Sequence, residues 1–189
     1  MPQETNEAND NNVSVPLTGQ EIKVSGATIL EVRDAAAFAK SLPRELRTSP
    51  KLFAYAATDF LEGFKRLPSG DAPELPRLVL AGLCLECLLK AYIGQVDTAR
   101  LKAFVRGSDG HDIKALWEEA AKASAATTGK KLSIGAALPW WCSTVAAFHS
   151  APYLNRYPVG VSITYAMPNH EELSTRLQDL LAEVRAALT

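Results

Sequence analysis

From residue 49 onward apolar positions recur every three or four residues, the period of an amphipathic helix. Ser49 and Pro50 form an N-cap followed by proline, and Phe53, Ala57, Phe60, Phe64 and Leu67 continue as one stripe. Asp71 and Glu74 resemble a capping pair for the next helix, which is expected to run to about Ile93. Its stretch LVLAGLCLECLLKAYI, Leu78 to Ile93, is apolar on every face except at Glu86 and Lys90. HDIKALWEEAAKA, residues 111–123, places Ile113, Leu116, Trp117 and Ala120 on one side. LPWWCSTVAAFHS, 138–150, predicts a further core helix beginning near Pro139. Asn169 and Glu172 cap a closing helix striped by Leu173, Leu177, Leu180, Val184 and Leu188.

Ahead of these segments the pattern changes. Residues 1–20 have no aromatic, no basic residue and hardly any apolar periodicity, so a disordered arm is expected: little buried surface would offset the entropy of ordering. In residues 21–30, Ile22 and Val24 alternate with polar neighbours before Gly26, which predicts a small hairpin. EVRDAAAFAKSL, 31–42, reads as a short alanine-rich helix ending before Pro43. The fold class expected is all-α: an up-and-down bundle of about five helices over residues 49–189, packed around the apolar one, with an extension at 21–48 and the arm at 1–20.

Composition narrows the function. Twenty basic and twenty-one acidic side chains give no global positive field for counterion release on nucleic acid, so any contact with RNA would be local. The run from Leu78 to Ile93 is short for a membrane span and holds two ionisable groups, and no basic-then-apolar leader opens the chain; a cytoplasmic protein without a membrane partner is expected. Three cysteines, Cys84, Cys87 and Cys142, suit a reducing compartment.

Glu86 and Lys90 stand four residues apart with the acid first, the favourable order for a helical ion pair. Because the other faces are apolar, the two must pair closely or open onto a polar cleft shared with another helix. A core-edge salt bridge that fixes helix register fits the same residues. Three features could meet such a cleft. RGSDGH, Arg106 to His111, sets an arginine and a histidine on either side of a glycine-containing turn at a helix start, where free N–H groups and a guanidinium favour a phosphate; simple capping by Ser108 or Asp109 is the plainer reading. Arg156 lies between Tyr153 and Tyr157, and an anchored loop explains it equally. His149 falls seven residues after Cys142, where a packed core histidine is the common case. The two-residue gap between Cys84 and Cys87, with Cys142 and His149, has zinc-knuckle spacing but lies mid-helix in a leucine-rich run, so no metal site is assigned to it.

Glu86 and Lys90 on a leucine-rich helix, then Gly110-His111-Asp112-Ile113 with Leu116, then Arg156-Tyr157-Pro158, together resemble the HEPN superfamily of helical-bundle proteins over roughly Ser49 to Leu188. The resemblance implies a bundle, often a homodimer, with RNA or a nucleotide as ligand and without a cofactor. Many members are metal-independent ribonucleases of toxin–antitoxin, antiviral or RNA-processing systems, others nucleotide binders or inactive scaffolds; an antitoxin or nucleotidyltransferase is a partner of the kind implied. Arg106 and His111 match the spacing of the family's catalytic arginine and histidine, with Gly107 where a polar residue is usual. The leading expectation is a polar cleft of Glu86, Lys90, His111, Asp112, Arg156 and Tyr157 that binds RNA or nucleotide phosphate. A metal-independent endoribonuclease using Arg106 and His111 is the first alternative, a non-catalytic scaffold the second.

Overall fold

The structure, a computed structural model, describes residues 19–24, 27–32, 48–68, 74–106, 108–129, 131–149 and 168–189. The expectations for residues 1–18, for the helix of 31–42 beyond residue 32 and for the Asp71 cap lie outside them. The chain divides into two units, Met1–Arg44 and Glu45–Thr189. In the first, β1 (Gly19–Val24) pairs antiparallel with β2 (Ala27–Val32), Ile22 opposite Ile29. The strand runs through Glu31 and Val32, where the alanine-rich helix was expected to begin.

The second unit is an all-α bundle of six described α-helices. They are α1 (Pro50–Lys65), α2 (Glu74–Val96), α3 (Thr98–Arg106), α4 (Ile113–Ala126), α5 (Trp140–His149) and α6 (His170–Leu188), with a 3-10 turn at Ser108–His111. α2 packs against each of the other five, which is why its apolar residues need no wet face. Leu85, Leu88, Leu89, Ala91, Tyr92 and Ile93 are sealed from solvent around its whole circumference. Among the described residues it is the helix long and apolar enough to cross a membrane by length and composition, and most of it is buried inside this bundle.

Local chemistry explains the boundaries. Pro50 opens α1, where its missing N–H deletes no bond. The buried face of α1 is Ala54, Ala57, Leu61 and Phe64; Phe53 and Phe60, expected in the stripe with Ala57 and Phe64, are only partly buried. The Asn169 side chain accepts from the Glu172 N–H and caps α6, whose Leu173, Leu177, Leu180 and Val184 are buried as the stripe predicts. Asp112 does the same for α4 by accepting from the Lys114 and Ala115 N–H groups. The helix therefore starts at Ile113, and His111 belongs to the turn ahead of it.

Helix α3 was not foreseen. Asp97 accepts from the Arg100 N–H at its start, and Leu101 is its buried anchor. A Cβ at Gly94 would come within 2.6 Å of Leu101, so glycine there lets α3 fold back against α2. Arg100 then forms a two-pronged ion pair with buried Glu119 of α4. The segment after α4 is tied down: Ser124 and Leu132 exchange hydrogen bonds, the Trp117 indole donates to the Gly135 carbonyl, and the Ser133 N–H donates to Glu183 of α6.

Candidate functional site

Two separate elements converge on one side chain of the innermost helix. Gly82, Glu86 and Lys90 follow one another at intervals of four along α2, so they share a face. At the upper end α5 delivers His149 across Gly82, where a Cβ would lie 2.5 Å from the imidazole Nδ1. No other residue leaves room for that ring. At the side, the 3-10 turn carries His111, held in place because Gly110 sits tight against the end of α3; a Cβ there would meet the Phe104 carbonyl oxygen at 2.9 Å. The Phe53 ring of α1 lies 5.8 Å from the Lys90 ammonium.

The carboxylate of Glu86 organises these groups. Lys90 Nζ is 2.5 Å from Oε1, His149 Nε2 is 2.6 Å from Oε2, and His111 Nδ1 is 3.1 Å from both oxygens. An ionised carboxylate only accepts, so each imidazole must donate: His111 through Nδ1–H and His149 through Nε2–H. For a neutral His111 the lone pair is then on Nε2. Exposure separates the members: the side chains of Glu86, Lys90 and His149 are 9%, 5% and 10% exposed, whereas His111 is 80% exposed. A buried anion thus holds the inner nitrogen of an imidazole whose body faces solvent.

Burial by itself would push the Glu86 carboxyl up, but hydrogen bonds from His149 and Lys90, the Lys90 charge and the His111 bond outweigh it and hold the group at about 2. The sign for stability follows. A carboxyl depressed from its ordinary 4.5 stabilises the fold fully above that value and loses this contribution as pH falls from about 4.5 to about 2. Urea midpoints of the wild-type protein are therefore expected to drop more steeply across that window than those of Glu86→Gln, which has no proton to take up there. Equal slopes would contradict the depressed carboxyl.

The sequence-predicted residues divide as follows. Glu86, Lys90 and His111 are brought together. Asp112 uses its carboxylate on the α4 cap and is not among the groups on Glu86. Arg106 is the last residue of α3 rather than part of a loop; its side chain, with Arg156 and Tyr157, lies outside the described residues. His149, read as a packed core residue, joins the cluster instead. Gly82, one turn before Glu86 on an otherwise bulky helix, was the signal that another side chain closes in there. The cysteines do not gather around His149: Cys84 donates to the Ala57 carbonyl and Cys142 to that of Pro139. Burial pushes the thiols of Cys84, Cys87 and Cys142 up to about 12, so they stay protonated at neutral pH. Comparison with protein families, curated proteins and solved structures returned no match for this chain.

Proposed function

We propose that this chain binds RNA at the His111 edge of the bundle and cleaves it without a metal, as a HEPN-like endoribonuclease. The observation that carries this reading is the exposed His111 imidazole with its Nδ1 on a buried, ionised carboxylate. That is the base-and-orienter pair of acid–base catalysis: the acid fixes tautomer and ring direction, and the outer nitrogen is left to work. A purely structural salt bridge has no use for it, since Lys90 and His149 already occupy both oxygens of Glu86.

In this scheme His111 Nε2 takes the proton of a ribose 2′-hydroxyl. The freed oxygen attacks the adjacent phosphorus, the bond to the 5′-oxygen breaks, and a 2′,3′-cyclic phosphate and a 5′-hydroxyl result. Arg106, at the end of α3 and five residues ahead of His111, is the candidate for stabilising the charged phosphorane. A second copy of the chain would supply a second imidazole to protonate the leaving oxygen. A ribonuclease of this kind suits a toxin or defence role, kept in check by a partner protein.

The test is direct. Pure protein with end-labelled single-stranded RNA in excess EDTA is expected to release fragments ending in 2′,3′-cyclic phosphate. RNA that stays intact across a range of sequences would refute the cleavage reading.

A further inference from the structure

The donor atoms around Glu86 suit more than a proton. One atom each from Glu86, His111 and His149 lies within 4.8 Å of the others. Oε2 of Glu86 is 3.1 Å from His111 Nδ1 and 2.6 Å from His149 Nε2, while Oε1 is held by Lys90. Tetrahedral zinc with bonds of about 2.0–2.1 Å places its ligand atoms roughly 3.3–3.4 Å apart, so the pair of Oε2 with His111 Nδ1 already stands near that separation, while Oε2 and His149 Nε2, now in a short hydrogen bond, must open by roughly 0.7 Å as the cation replaces the proton between them. The pair of imidazoles must close further. His111 can do so because its ring is 80% exposed and lies on a short turn.

We propose that Glu86 Oε2, His111 and His149 form a three-ligand site for a first-row divalent cation, zinc above all, with a fourth position open to solvent on the His111 side. Two imidazoles and one carboxylate are a zinc-type donor set; magnesium, which prefers oxygen and retains its waters, has little to gain there. Coordination requires each imidazole to offer a lone pair where it now carries a proton, and that proton passes through solvent to the other ring nitrogen. Lys90 stays on Oε1 and keeps the carboxylate from chelating with both oxygens, which favours monodentate binding. The site is distinct from Cys84 and Cys142, whose thiols are turned to backbone carbonyls of α1 and of the segment before α5.

One consequence rests on the ribonuclease reading: the cation displaces the Nδ1 proton that poises His111, so zinc should slow the cleavage that EDTA permits. Binding itself is tested without RNA, so its failure and the failure of the cleavage reading are separate results. Full-length protein stripped with EDTA and dialysed is titrated with zinc chloride by calorimetry, with magnesium chloride in parallel and cobalt(II) as a visible-absorption probe. One zinc per chain is expected, no comparable magnesium heat, and a cobalt band typical of tetrahedral coordination. His111→Ala, an exposed position whose loss leaves the core intact, should weaken zinc binding by at least about 10-fold, since even outer-shell partners of a ligand carry 10–100-fold. Absence of zinc binding, equal binding of magnesium, or unchanged affinity in His111→Ala would each overturn the site.

Discussion

Replacing Glu86 with alanine should lower the unfolding free energy by about 3–5 kcal/mol, the range for removing one partner of a buried ion pair. The reason is what remains. Lys90 is 5% exposed and has Glu86 as its ion-pair partner, so the substitution leaves an ammonium among apolar side chains with only the face of the Phe53 ring, 5.8 Å away, against its lost hydration among the described residues. His149, also enclosed, loses the acceptor 2.6 Å from its Nε2. A second variant separates charge from shape. Glu86→Leu with Lys90→Met removes both ions and keeps the volume, so it should recover most of the stability, as hydrophobic replacement of buried pairs often does. Urea unfolding of the three proteins decides it: a double variant as unstable as Glu86→Ala would mean that the orphaned Lys90 charge does not set the loss.

His111→Ala should reduce RNA cleavage in EDTA by roughly 10²–10⁴-fold, the usual contribution of a positioned acid or base. Stability should change by no more than about 0.5 kcal/mol, because so exposed a side chain contributes little packing and Glu86 keeps two other donors. The contrast between the two substitutions is diagnostic. Glu86 should matter to both fold and rate, His111 to rate alone. Single-turnover cleavage beside thermal melts of the same preparations checks this. A His111→Ala protein that cuts at the wild-type rate would remove the imidazole from the chemistry.

How much of this was legible before the fold is clearest helix by helix. α6 could be read almost in full, since an Asn169 cap and a leucine stripe are both local signals and its outer face is wet; Leu181 and Ala187 join the buried face and Leu188 is only half-buried. α4 was nearly as plain, missed at its start by two residues because Asp112, not an earlier residue, satisfies the free N–H groups. α1 was seen with its buried face only partly turned: Ala57 and Phe64 of the expected stripe are buried, but close packing against α2 also draws in Ala54 and Leu61 and leaves Phe53 and Phe60 at the rim. α3 escaped because among its described side chains only Leu101 is fully buried and its support comes in part from the Arg100–Glu119 pair, a tertiary contact that no window of local sequence contains.

The site was half legible for the same reason. Glu86 and Lys90 stand out as charges on a greasy helix, and their pairing follows from spacing alone. That His111 would reach them could be argued from a polar segment needing a partner. His149 was named among the features that could meet the cleft but was given the packed-core reading, because its approach depends on α5 crossing α2 at Gly82, and a crossing point is a property of the whole bundle. The apolar helix likewise runs through Val96, three residues past its expected end, since nothing in Gly94 to Val96 breaks it before Asp97 begins the next cap.

All of this depends on a single arrangement, a buried carboxylate that fixes which nitrogen of His111 holds the proton. Long-range ¹H–¹⁵N correlation spectra of the imidazole rings, recorded on the metal-free protein at mildly alkaline pH, read that arrangement directly. The neutral His111 ring is expected with its proton on Nδ1 and a bare Nε2, the reverse of the tautomer a free histidine prefers, and Glu86→Gln should remove the preference. A His111 ring protonated on Nε2 in the wild-type protein would contradict the account.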